Sequence, residues 1–212
     1  MTQIFDIDQK CSVCGNTSPH PVLASTNAWG YADLDLRPPE MQRSTMITWI
    51  VECPHCGYVS QSLEKELEIP KDFLKSEEYL TCDGHDFVGN LSEKFYKRYL
   101  IARQANNTEE CFKNLHHCAW DCDDKKDPNA IAIRKEALKY IDELIRIYGD
   151  ENENLICIKA DLLRRSGQFD KLIEEYTGMT TDEDILNRII EFQIERAREK
   201  DTECYTIEDV IK

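Results

Sequence analysis

Two short cysteine motifs, Cys11-Ser-Val-Cys14-Gly15 and Cys53-Pro-His-Cys56-Gly57-Tyr58, constrain this chain more than any other feature. Two residues between cysteines let both thiolates of a pair face one point. The glycine that follows permits the tight turn that brings backbone N–H groups toward the sulfurs. Between Cys14 and Cys53 lie 38 residues, enough for strands to carry one motif to the other. Four thiolates at about 2.3 Å complete a tetrahedral shell around one Zn2+ and leave no position for water. The spacing therefore predicts a single structural zinc on Cys11, Cys14, Cys53 and Cys56, not a Lewis acid. Reduced cysteines in turns, or a thioredoxin-like redox pair, account poorly for two matched, glycine-followed motifs. His55 lies inside the second motif and is expected to point outward, because Cys56 already holds the favoured spacing from Cys53.

Ten cysteines would imply disulfides in a secreted chain, but Met1–Lys10 has no basic region followed by an apolar run. No stretch approaches the roughly 20 apolar residues that cross a bilayer. The expectation is a cytoplasmic protein with no membrane partner, its cysteines serving as metal ligands and small core residues. The net charge of -15 would repel nucleic acid, and neither half of the sequence supplies a basic patch.

Up to about Ser62, short apolar runs alternate with Cys, Gly, Pro and Asn without helical periodicity. Residues 21–28 and 45–52 read as β-rich stretches flanking a loop, Gly30 to Pro39. Residues 63–90 form a connector with a short helix near Pro70 to Tyr79. Beyond Asn90 apolar residues recur at helical spacing, predicting helices at about 92–106, 108–124, 128–148, 152–166, 168–178 and 181–200. Ser92, Thr108, Asp127 and Thr181 are the expected N-caps, and Gly149, Gly167 and Gly178 the expected stops. The fold class is α+β, a small N-terminal β zinc ribbon over residues 1–62 followed by a mainly α domain over residues 91–212.

At the cysteine motifs the chain resembles a bacterial family of zinc-ribbon proteins, of unknown function, whose second knuckle reads CPxCGY and whose remainder is tetratricopeptide-like helices. The matching residues are Cys53 to Tyr58, with the first knuckle at Cys11 to Gly15. The resemblance implies a zinc ribbon and a helical repeat, and no activity. Ala160 to Tyr176 looks like one tetratricopeptide unit, with Ala160, Leu163, Gly167, Phe169, Leu172 and Tyr176 at the expected places. The stretch 128–148 is too long for a standard repeat helix, and the closing proline is missing after Tyr176, so regular stacking is not implied throughout.

Asp33, Asp35, Arg37 and Arg43 are the candidate ligand-binding residues outside the metal site. Alternate aspartates share one side of an extended segment and, beside arginines, could hold a polar ligand or cation. The plainer reading pairs the four with one another to order the loop, since neither a histidine nor a nucleophile accompanies them. Cys82-Asp-Gly-His85 has knuckle spacing, and Cys118 and Cys122 share a helix face beside His116 and His117, so a second metal site competes with simple core packing. Phe95, Tyr96, Tyr99, Phe112 and Trp120 are expected to fill a core between the first two long helices.

With a closed metal site and no catalytic set, the sequence predicts a non-catalytic adaptor whose partner is another protein or its own copy. The alternatives are a hydrolase or small-ligand binder using the Asp33–Arg43 loop, and a nucleic-acid-binding zinc ribbon.

Overall fold

The computed structural model describes residues 1–148 and 152–212. Each cysteine motif is the turn of an antiparallel hairpin. Strand β1 (Gln3–Lys10) pairs with β2 (Thr17–Ser25), with Phe5 opposite Val22 and Ile7 opposite His20. Strand β3 (Val51–Glu52) pairs with β4 (Val59–Ser60).

The stretch 45–52 departs from its predicted strand character. Residues Arg43–Thr48 form a 3₁₀ turn, and only Val51–Glu52 is extended. Side chains of Thr45 and Thr48 donate to the carbonyls of Gln42 and Thr45 at 2.7 and 2.8 Å, and Trp49 Nε1 donates to Thr45 Oγ1 at 3.0 Å. These local bonds offer the backbone a turn that outweighs its β propensity.

The connector carries a 3₁₀ turn at Lys71–Lys75 and the short helix α1 (Glu77–Leu80), capped by the Ser76 side chain. Six long helices follow: α2 (Asn90–Gln104), α3 (Thr108–Asp124), α4 (Ala130–Tyr148), α5 (Asn154–Arg165), α6 (Phe169–Tyr176) and α7 (Asp184–Arg198). Their bounds lie close to the expected ones, but three caps shift, and at α7 Thr181 accepts the Glu183 N–H ahead of a helix that begins at Asp184. Asn107, not Thr108, accepts the Glu110 N–H at the start of α3. Ser92 sits inside the first turn of α2, where its N–H and hydroxyl both donate to Asp121, at 2.9 and 2.5 Å. Asp127 accepts from Asn129 N at 2.9 Å in the turn that leads into α4. Gly167 and Gly178 end α5 and α6 at φ of 76° and 82°, where a Cβ would be strained. The stop expected at Gly149 lies outside the described residues.

From α2 to α5 each helix packs on the next, and α7 closes against both α5 and α6. Phe95, Tyr96, Tyr99, Phe112 and Trp120 are buried with Leu100 and Leu115 in one core that also takes in Val51, Tyr58 and Val59 of the cysteine-bearing part. The last segment returns to the N-terminal loop: Leu34 N donates to Tyr205 O and Ile207 N to Ala32 O, both at 2.9 Å, just before helix α8 (Ile207–Ile211). Among the described residues no helix is long and apolar enough to cross a membrane.

Candidate metal centre

The two cysteine turns are built alike. In the first, Gly15 N donates to Cys11 O and Cys11 N to Asn16 O, both at 2.8 Å. In the second, Gly57 N donates to Cys53 O and Cys53 N to Tyr58 O, both at 2.9 Å. Gly15 and Gly57 stand at φ of 76° and 72°, a conformation that glycine enters without a Cβ clash. These turns bring the four sulfurs together, all within 4.8 Å of one another. Cys11 and Cys56 lie 3.7 Å apart and Cys14 and Cys53 3.6 Å. Sulfurs at about 2.3 Å from a central ion have tetrahedral edges of about 3.8 Å, so the four cysteines are positioned to hold one metal ion.

Their surroundings suit that role. Backbone N–H groups of Val13 and Cys14 face the Cys11 sulfur, that of Asn16 faces Cys14, and that of Tyr58 faces Cys56. The Asn16 N–H draws the exposed Cys14 thiol down to about 6, against partial desolvation, whereas burial holds Cys11 and Cys56 above the ordinary thiol value. A central cation offsets that burial cost, because each ligand binds as thiolate.

Buried partners fix the turns from behind. Gln9 Oε1 accepts Leu63 N at 2.9 Å, and Ser12 N donates to Leu63 O. Tyr58 OH donates to Lys65 O at 3.0 Å, and Tyr79 OH of α1 donates to Gly57 O at 2.6 Å. His55 is exposed and outside the cluster.

No family model, curated protein or solved structure matches this chain. Among the described residues no other group of His, Cys, Asp and Glu has the arrangement of a metal site. Cys82 is buried in a turn after α1. His85 Nδ1 lies 3.0 Å from Asn129 Oδ1, and its ring stacks on Phe87. Cys118 and Cys122 are fully buried on α3, with the Cys118 thiol donating to Ser92 O at 3.3 Å.

The charged loop is bonded partly within itself and partly to the helices. Arg43 pairs with Asp33 at 2.5 Å, while Arg37 reaches Asp124 at 2.5 Å and donates to Trp120 O. Asp35 is 1% exposed and accepts from Trp120 Nε1 at 2.7 Å, with Arg165 at 3.6 Å. Burial raises the Asp33 carboxyl, with the Arg43 bond opposing. For Asp35 burial is outweighed by the His116 ring, the Arg165 and Arg134 guanidiniums and the Trp120 N–H, which hold it below the ordinary carboxylate value.

Sequence reasoning missed the other half of this network: Arg134 and Arg165 both bond Asp123, and Arg164 bonds Asp161 and Gln193 inside the helical core. The spacing of Asp161 from Arg164 and Arg165, three and four residues on, was the available signal.

His117 gives the helical core a pH dependence. It packs against Trp49, Phe95 and Trp120, and burial, with His116 and Lys113 nearby, lowers its pKa to about 3 from 6.5. Between those values the unfolded chain binds a proton that the folded protein refuses, so this contribution to stability falls as pH falls through the window. The expected loss between about pH 7 and about pH 5 is roughly 1–2 kcal/mol, and His117→Phe is expected to remove it from urea unfolding midpoints. An unchanged pH slope in that variant would contradict this assignment.

Proposed function

We propose that the four cysteines hold one structural zinc ion and that the protein is a non-catalytic interaction or adaptor protein of the cytosol. The observation that carries the metal assignment is the pair of sulfur separations, 3.6 and 3.7 Å, close to the edge of a tetrahedron of thiolates. Cys11, Cys14, Cys53 and Cys56 would supply all four ligands, so the ion supplies folding free energy and a fixed turn geometry. The absence of redox chemistry in zinc and its preference for a closed thiolate shell favour it over other divalent ions.

The adaptor reading rests on the helical array. Helices α5 and α6 meet through the Gly167 turn, with Ala160, Leu163, Leu172 and Tyr176 buried, and Tyr176 OH donates to Ile156 O at 2.8 Å. This packing supports the reading of a tetratricopeptide-like unit, a scaffold that serves protein contacts through its exposed faces. The partner is another protein or a second copy of this chain.

Elemental analysis of the purified full-length protein tests the metal. The expected ratio is close to one zinc per chain, retained in Cys82→Ser, whose thiol is buried apart from the cluster. A ratio near two that Cys82→Ser halves, or iron with visible absorbance in place of zinc, would overturn the assignment.

A further inference from the structure

The two edges of the β1–β2 hairpin are not equivalent. In an antiparallel ladder, residues alternate between those that exchange N–H···O bonds with the partner strand and those whose N–H and C=O point away from it. Proline has no N–H and keeps its place in a ladder only where that group would point away. Pro19 and Pro21 therefore face the outer edge of β2, where two successive donors are missing. That edge is blocked.

Their partners across the ladder are Asp8 and Asp6. By the same alternation, Asp6 and Asp8 turn their N–H and C=O away from β2, toward the outer edge of β1. Among the described residues no backbone group of β1 bonds to anything beyond the hairpin, and seven of its eight residues are exposed. The edge offers donors and acceptors at a repeat of about 6.6 Å. Phe5 and Ile7, 51% and 40% exposed, lie on one face, and the carboxylates of Asp6 and Asp8 on the other.

We infer that the outer edge of β1 accepts an extended segment of a partner protein in which apolar residues alternate with lysine or arginine, docking as a third strand. The backbone edge supplies the ladder, the Phe5 and Ile7 face takes the apolar residues, and Asp6 and Asp8 select positive charge directly across the strand. A second copy is the wrong occupant. Pairing β1 with its own equivalent about a two-fold axis at Ile7, the register that matches most of the strand, would set Asp6 of one chain against Asp8 of the other, and each chain carries a net charge of -15. This surface lies on the hairpin, apart from the helical faces, so its failure would leave the adaptor reading of the helices untouched.

The test uses metal-loaded full-length protein and two eight-residue probes, alternating Val with Lys and alternating Val with Glu, followed by amide NMR. The lysine probe is expected to bind saturably and to slow exchange of the Asp6 and Asp8 N–H groups, with the glutamate probe at least about tenfold weaker. Asp8→Pro removes an outward N–H while sparing the ladder bonds, and is expected to abolish binding without loss of metal. Should that variant fail to fold, the double change Asp6→Asn and Asp8→Asn is expected to weaken the lysine probe by about tenfold. No binding of the lysine probe, binding indifferent to these substitutions, or a homodimer joined through β1 would each overturn the proposal.

Discussion

Changing Cys53 to serine is expected to take bound metal from about one ion per chain to almost none and to unfold both cysteine-turn hairpins. A structural zinc on four thiolates is worth roughly 10–16 kcal/mol near neutral pH, far more than two short hairpins gain from apolar burial. Hydrogen exchange should therefore show lost protection over β1–β2 and β3–β4. Protection in α3 to α7 is expected to outlast that of the hairpins, because Leu115, Ile133, Leu163 and Ile190 are buried where helix packs on helix, in the part of the shared core farther along the chain from the cysteine turns. Retention of the metal, or intact protection at the hairpins, would show that the cluster does not hold this part together.

The second large effect is expected at Asp35. Replacing it with alanine leaves the Trp120 N–H without an acceptor and removes one of the carboxylates facing the buried Arg165, at an expected cost of about 3–5 kcal/mol. Removing one member of a buried charged network costs more than the intact pair is worth, because the remaining charge stays desolvated. The contrast is Arg146, which is 76% exposed beside Glu143, where alanine is expected to change stability by less than about 0.5 kcal/mol. Urea unfolding of both variants decides it. Equal, small effects would mean that the loop around Asp35 rests on the helices without being held by them.

The helical half was legible because residues such as Ile133, Ala137, Ile141 and Leu144 recur at the spacing of one helix face, and each is buried. The convergence of the cysteines was legible because knuckle spacing and glycine geometry are local, so each turn carries its own shape in five or six residues. What escaped is non-local. Thr45 and Thr48 read as strand formers, and only the folded turn shows which carbonyls their hydroxyls find. Arg134 and Arg165 are buried against Asp123 of α3 and, for Arg165, Asp35 of the N-terminal loop, partners that lie far from them in sequence. The return of Tyr205 to Leu34 has no signal in periodicity, because the residues before α8 carry no repeating apolar pattern.

That return has a consequence for synthesis on the ribosome. Cys56, the last of the four ligands, is made about 150 residues before Ile207, whose N–H meets Ala32. At roughly 5–20 residues per second the interval is on the order of 10–30 s. During it the nascent chain has every thiolate needed to capture an ion, while Asp33 and Leu34 still wait for their pairing strand. Loading of the proposed ion can thus precede closure of the loop, and the order of translation makes the convergence of the four cysteines available among the earliest tertiary contacts of the protein.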